Sequence, residues 1–202
     1  MSATGSGPDR SRNRSPEANG SPHTLLAKFV WPNEAPVARL RAALDGGALT
    51  LVRALDADRA YAYIPLPADF GEASSLIERV HAALPAASLA RLALVQDIDG
   101  VSQGRPAPYR YVVETDVRAQ SDADLNDWYE REHLPGLAAV PGTVRAMRFR
   151  NGDGSPRYHA CYDLERAETL GSPPWLAVRA TAWSDRVRPA FYNTARTMFM
   201  RV

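Results

Sequence analysis

Asp127-Trp128-Tyr129-Glu130-Arg131-Glu132-His133-Leu134-Pro135-Gly136-Leu137 gathers a tryptophan, a tyrosine and a histidine on one helical run that meets Pro-Gly near its end. Ser121 is placed to cap the helix, and Asp122 and Asp124 are favourable anions in its first turn. Tyr129 and His133 are four residues apart, so an α-helix puts them on one face. Pro135 and Gly136 are expected to close the helix. An imidazole there would feel the negative end of the helix, which favours its protonated form.

Reading outward, this helix has strands on both sides. Tyr109 to Val117 alternates, with Tyr111 and Val113 on one face and Val112 on the other. Thr143 to Arg150 and Arg157 to Leu164 form two strands across Asn151-Gly152-Asp153-Gly154, a hairpin signal. Pro174 to Arg188 reads as a second helix, introduced by Ser172 and Pro173, with Leu176, Ala180, Trp183 and Val187 inward. Tyr192 to Arg201 is the last strand. The order is βαββαβ.

The same order precedes it. Thr24 to Trp31 is a strand with apolar residues on both faces. A helix capped by Asn33 buries Val37, Leu40 and Leu44, and Gly46-Gly47 ends it. Strands Ala48 to Leu55 and Arg59 to Leu66, helix Gly71 to Leu84 and strand Leu89 to Ile98 complete the run. The expected organisation is a disordered tail over 1–22, a first unit over 23–102, a linker over 103–108 and a second unit over 109–202. The repeated order suggests an internal duplication.

A βαββαβ unit is the ferredoxin-like split βαβ, a four-stranded antiparallel sheet with both helices on one face. Its other face must be covered. Two units in one chain can cover each other. The expected fold is therefore α+β: two tandem ferredoxin-like units whose antiparallel sheets face each other as an α/β barrel, with helices outside and a cavity between the sheets. One chain suffices for such a barrel. A homodimer through leftover edges or helices is left open.

The second half resembles the dimeric α/β-barrel superfamily, in particular its EthD-like members. The residues that carry the likeness are Tyr111-Val112-Val113, the run Asn126-x-Trp128-Tyr129-x-x-x-His133-Leu134-Pro135, Val140-Pro141-Gly142, and Tyr158-x-Ala160-x-Tyr162-x-Leu164-Glu165. The first half has no counterpart of the Trp-Tyr-x-x-x-His-Leu-Pro run. The resemblance implies a small hydrophobic or aromatic ligand inside the barrel. It does not choose among metal-free monooxygenases, isomerases, cyclases and haem-using enzymes.

Each candidate has two readings. His133 has the ordinary pKa of ~6.5 for proton transfer near neutrality, or it satisfies carbonyls at the helix end. Tyr129 orients a ligand, or packs as a half-buried tyrosine. Trp128 and Tyr111 line the ligand site, or only pack helix against sheet. Arg148 or Arg145 anchors an anionic ligand, with Arg148 holding an oxyanion in the enzyme reading, or these are solvated strand arginines. His159 shares a strand face with Cys161 and lines the cavity, unless Ala160 and Tyr162 on the opposite face do.

Other chemistries are set aside. The four histidines have no close metal-ligand spacing, so no metal site is predicted. There is no phosphate-binding glycine loop and no nucleophile elbow. Cys161 is the one cysteine, mid-strand, which argues against an activated thiolate. No cofactor is predicted, with haem and flavin left open. The net charge of +1 gives no reason to expect nucleic acid or an anionic membrane. No apolar run reaches the ~20 residues of a membrane span. A cytoplasmic protein is the expectation. Two classes of function stand: an enzyme of small aromatic, polyketide-like or lactone metabolism using acid/base chemistry in a barrel cavity, and a non-catalytic binding or accessory protein of the same fold.

Overall fold

The computed structural model describes residues 23–31, 35–152 and 154–202. The expected tail, the Asn33 cap and Asp153 of the hairpin lie outside the described residues. The first unit runs β1 (His23–Val30), α1 (Ala35–Leu44), β2 (Thr50–Ala54), β3 (Arg59–Pro65), α2 (Phe70–Ala83) and β4 (Ser88–Asp99). The second runs β5 (Tyr109–Val117), α3 (Asp122–Trp128), a π turn (Tyr129–His133), α4 (Leu134–Ala138), β6 (Thr143–Asn151), β7 (Tyr158–Leu164), α5 (Pro173–Arg179), α6 (Ala182–Val187) and β8 (Phe191–Arg201).

The strands close into one antiparallel barrel in the order β1-β3-β2-β8-β5-β7-β6-β4. Two seams join the units. Seven residue pairs tie β4 to β6, whereas three tie β2 to β8. Closure within the chain pairs the strand edges, one of the two surfaces left open for a homodimer.

Both faces of each sheet are covered, which is why strands such as β7 are buried at every position. One face looks into the barrel and holds Leu26, Val52, Met147, Phe149 and Phe199. The other lies under the helices. In the first unit that layer is aliphatic, with Leu40 and Leu44 of α1 meeting Leu76 and Val80 of α2. Each such side chain contributes about 1.5–3 kcal/mol by leaving water. In the second unit the layer is rich in Trp and Tyr, including Trp128, Tyr129, Tyr162 and Trp175. Among the described residues no helix is long and apolar enough to cross a membrane.

Two helices of the second unit differ from the sequence expectation. The run through Trp128 does not stop at Pro135-Gly136 but continues to Ala138. Proline has no N–H to donate and its ring crowds the carbonyl four residues back. The π turn absorbs this: the Leu134 N–H donates to the Tyr129 carbonyl, five residues back. Ser121 makes no side-chain cap bond and sits in a 3-10 turn instead. The expected helix over 174–188 is two helices, with the Thr181 hydroxyl accepting the Ser184 N–H at 3.1 Å to start α6. The break resets the helical phase. Leu176 is therefore 50% exposed and Trp175 is 1% exposed, whereas Trp183 and Val187 of the expected stripe do face the core.

Candidate functional site

A cavity of about 30 Å³ opens between the outer face of the second sheet and its helices. Trp128, Tyr129, His133 and Tyr111 line it, joined by Tyr162, Trp175 and Phe191. The site thus lies under the helices, not between the facing sheets as expected. The π turn sets its floor. It brings residues five apart into register, so the His133 ring stacks on Trp128 with centroids 4.0 Å apart and planes at 19°. Tyr129 meets the same imidazole edge-on, at 5.2 Å and 87°. The Trp128 indole N–H donates to Glu132 Oε1 at 3.2 Å, and the Thr181 hydroxyl donates to the same oxygen at 2.5 Å.

His133 is 7% exposed. Burial, then the positive charges of Arg179, Arg188 and Arg148, push its pKa down to about 3. The expected preference for the protonated form is overturned: His133 does not end the helix, and desolvation exceeds any dipole effect. At neutral pH the imidazole is uncharged. Its Nδ1 is fully enclosed and has no hydrogen-bond partner among the described residues, and the same holds for the indole N–H of Trp175.

Arg148 stands behind this wall. Its guanidinium lies over the rings of Tyr129 at 4.4 Å and Tyr158 at 4.7 Å, and it donates to Asn126 Oδ1 at 2.8 Å. It is buried, not solvated, and contacts the pocket through the Tyr129 ring.

His159 points the other way, into the barrel. Its Nε2 is 2.9 Å from the Tyr63 hydroxyl and its Nδ1 is 3.2 Å from Glu114 Oε1. The Tyr61 hydroxyl donates to Glu114 Oε2 at 2.6 Å, and Lys28 pairs with Glu114 Oε1. Burial opposes charge on Glu114, but His159 and Lys28 outweigh it and hold the carboxyl at about 2. Burial likewise opposes charge on His159, and Cys161 and Glu114 together raise it to about 9. Arg110 forks onto Asp163 at 2.7 and 3.0 Å, and Arg201 adds a bond at 2.8 Å. Polar groups of both units thus fill this part of the interior.

Among the described residues no group of three His, Cys, Asp or Glu side chains could hold a metal ion. Pockets for ligands of drug size are ~300–1,000 Å³. The space at His133, about 30 Å³, is well below that range.

The alternative that put Tyr162 at the cavity matches the lining, whereas sequence reasoning missed Trp175, Phe191 and three arginines at the same cavity, Arg179, Arg188 and Arg196. The phase reset at Thr181 hid Trp175. Arg196 was legible as a strand position on the outer face with Met198, but only the fold brings it to α5 and α6.

No protein-family model matches the chain, and no curated protein sequence does. Solved structures do. A mutant chlorite dismutase from Candidatus Nitrospira defluvii, in complex with cyanide, is similar over 92% of this chain and 92% of its own, with TM-score 0.63 and 11% identity. An anthrone oxidase-like protein covers 95% of this chain and 94% of its own, with TM-score 0.62 and 15% identity. A ferredoxin-fold protein of Listeria monocytogenes, related to antibiotic biosynthesis monooxygenases, covers 90% and 95%, with TM-score 0.59 and 10% identity. At these identities the likeness concerns the fold, a ferredoxin-like α/β barrel.

Proposed function

We propose that the chain is an EthD-like enzyme acting on a small aromatic, polyketide-like or lactone molecule in the pocket of its second unit. The observation that carries this is His133: a neutral imidazole held between Trp128 and Tyr129, with an enclosed nitrogen that no group among the described residues partners. A buried polar atom without a partner costs about 1–3 kcal/mol. Keeping one in an aromatic-walled pocket suits a site whose partner arrives with the ligand.

In this reading His133 accepts a proton from the substrate and returns it. Tyr129 orients the substrate beside the imidazole. Trp128 fixes the imidazole plane, and Tyr111 walls the space that the substrate's reacting end enters. Arg148 is a positioning residue that holds Tyr129. His159 serves the barrel interior. The first unit's layer under its helices is mostly aliphatic and, among the described residues, brings together no Trp-Tyr-His cluster. The anthrone oxidase-like and antibiotic-monooxygenase-related neighbours are compatible with aromatic polyketide-type substrates.

The test begins with thermal-shift screening of aromatic acids, phenols and lactones, since a ligand of the native state raises its apparent stability. Compounds that bind are then assayed for conversion. His133→Gln should bind them and lose ~10²–10⁴-fold in rate. A folded His133→Gln protein with full turnover would end the proton-transfer role.

A further inference from the structure

We infer that Arg179, Arg188 and Arg196 form an anion-recognition site at this pocket, and that its aromatic ligand carries a carboxylate or a similarly delocalised oxyanion. The inference rests on the pocket of the second unit being the binding site.

The three guanidiniums come from α5, the end of α6 and β8 and line one cavity. None has a carboxylate within ion-pair distance among the described residues. Other arginines of the chain do: Arg186 pairs with Asp124, Arg145 with Asp97, and Arg110 and Arg201 with Asp163. Asp185 acts on Arg188 only at longer range, and Glu132 is engaged by Trp128 and Thr181. The crowding is felt by the arginines themselves. Burial, then Arg179 and Arg196, lower the proton affinity of Arg188. Asp185 and Tyr111 oppose this positive field only in part, and a bound anion would oppose it further.

The geometry fits a carboxylate. Guanidinium forks recognise it bidentately. The cavity, about 30 Å³, admits a group of a few atoms. A ring attached to that group is left at the mouth, beside the half-buried Phe191. His133 and Trp175 line the same cavity, and each has an enclosed ring nitrogen without a hydrogen-bond partner among the described residues. A bound anion also answers a chemical difficulty. A base as weak as the empty-pocket His133 is poorly matched to neutral pH. A negative charge among Arg179, Arg188 and Arg196 opposes the part of the weakening that comes from their field and leaves the larger part, burial, in place. The other groups facing it, Arg148, Tyr111 and Tyr129, are unchanged. The substrate's own charge would then offset the arginine contribution to that weakness.

The experiment compares benzoate with benzamide, equal in shape and different in charge. Binding to the full-length protein is followed by the indole N–H resonances of Trp128 and Trp175, which report on this pocket alone. Benzoate should bind at least tenfold more tightly than benzamide, and the difference should shrink with added salt. Arg179→Gln and Arg188→Gln should each weaken benzoate about fivefold or more and leave benzamide unchanged. Arg188→Lys, which keeps the charge, should recover part of the loss and guards against a folding defect. Equal binding of the two probes, or glutamine variants that bind benzoate normally, would overturn the anion site and leave the pocket reading intact. Failure of both probes to move either indole at millimolar concentration would overturn both.

Discussion

The imidazole of His133 lies flat on the indole of Trp128, centroids 4.0 Å apart. Five residues separate them, a spacing that an α-helix would point to different sides and a π turn brings together. The stack gives His133 one defined orientation and leaves Tyr129 to meet its edge.

Trp128 is 1% exposed at the centre of the second unit's helix-sheet layer. Trp128→Ala should lower stability by ~3–5 kcal/mol, the usual cost of deleting a large buried aromatic. Urea unfolding measures it directly. A midpoint within error of wild type would show that the surrounding aromatic layer is not packed around the indole.

Acid and alkali should weaken the fold through different residues. His133 has a folded pKa of about 3, below the ordinary 6.5, so the unfolded chain takes the proton first. Its contribution is present above about pH 6.5 and is lost as pH falls toward 3. Glu114, held at about 2 against an ordinary 4.5, follows in a more acid window. His159 has the opposite sign: raised to about 9, it contributes fully below 6.5 and the contribution disappears as pH rises through 9. Urea midpoints against pH should form a dome. His133→Phe should flatten its acid side between pH 4 and 6, and His159→Gln its alkaline side. Imidazole NMR titration that found both rings near 6.5 would refute the assignment.

Glu114 joins the units inside the barrel. Its carboxylate is held by Lys28 and Tyr61 of the first unit and by His159 of the second. Glu114→Gln leaves the Lys28 and His159 charges without their counter-ion and should cost about 3–5 kcal/mol, as for a broken buried pair. A double variant, Glu114→Gln with Lys28→Met, should recover part of this loss. Equal stability of the single and double variants would argue that Lys28 is solvated and uncoupled.

Much of the fold is legible in the chain. Tyr109 to Val117 alternates as a strand and is one, and the repeated βαββαβ order leads to a closed eight-stranded barrel. The site was legible only in part. Tyr129, His133, Trp128 and Tyr111 do come together. His159 does not join them, because both faces of β7 are buried and alternation cannot say which face is the barrel and which lies under helices. The location failed for the same reason. The stacking of His133 on Trp128 was hidden by the assumption of 3.6 residues per turn. Pro135 inside an otherwise helical run is the local signal of a wider turn.

The unequal seams give the barrel a spine and a fore-edge. Seven paired residues and the Arg145–Asp97 ion pair bind β4 to β6, and three pairs close β2 on β8. Opening in the native state follows the weaker line, so the two units part like book covers along β2 and β8 while β4 and β6 stay joined. Amides of that short seam should exchange with solvent before those of the long one. β8 also carries Arg196 to the cavity at its other end. Loosening of this strand from β2 thus reaches the arginine cluster without passing through the barrel centre.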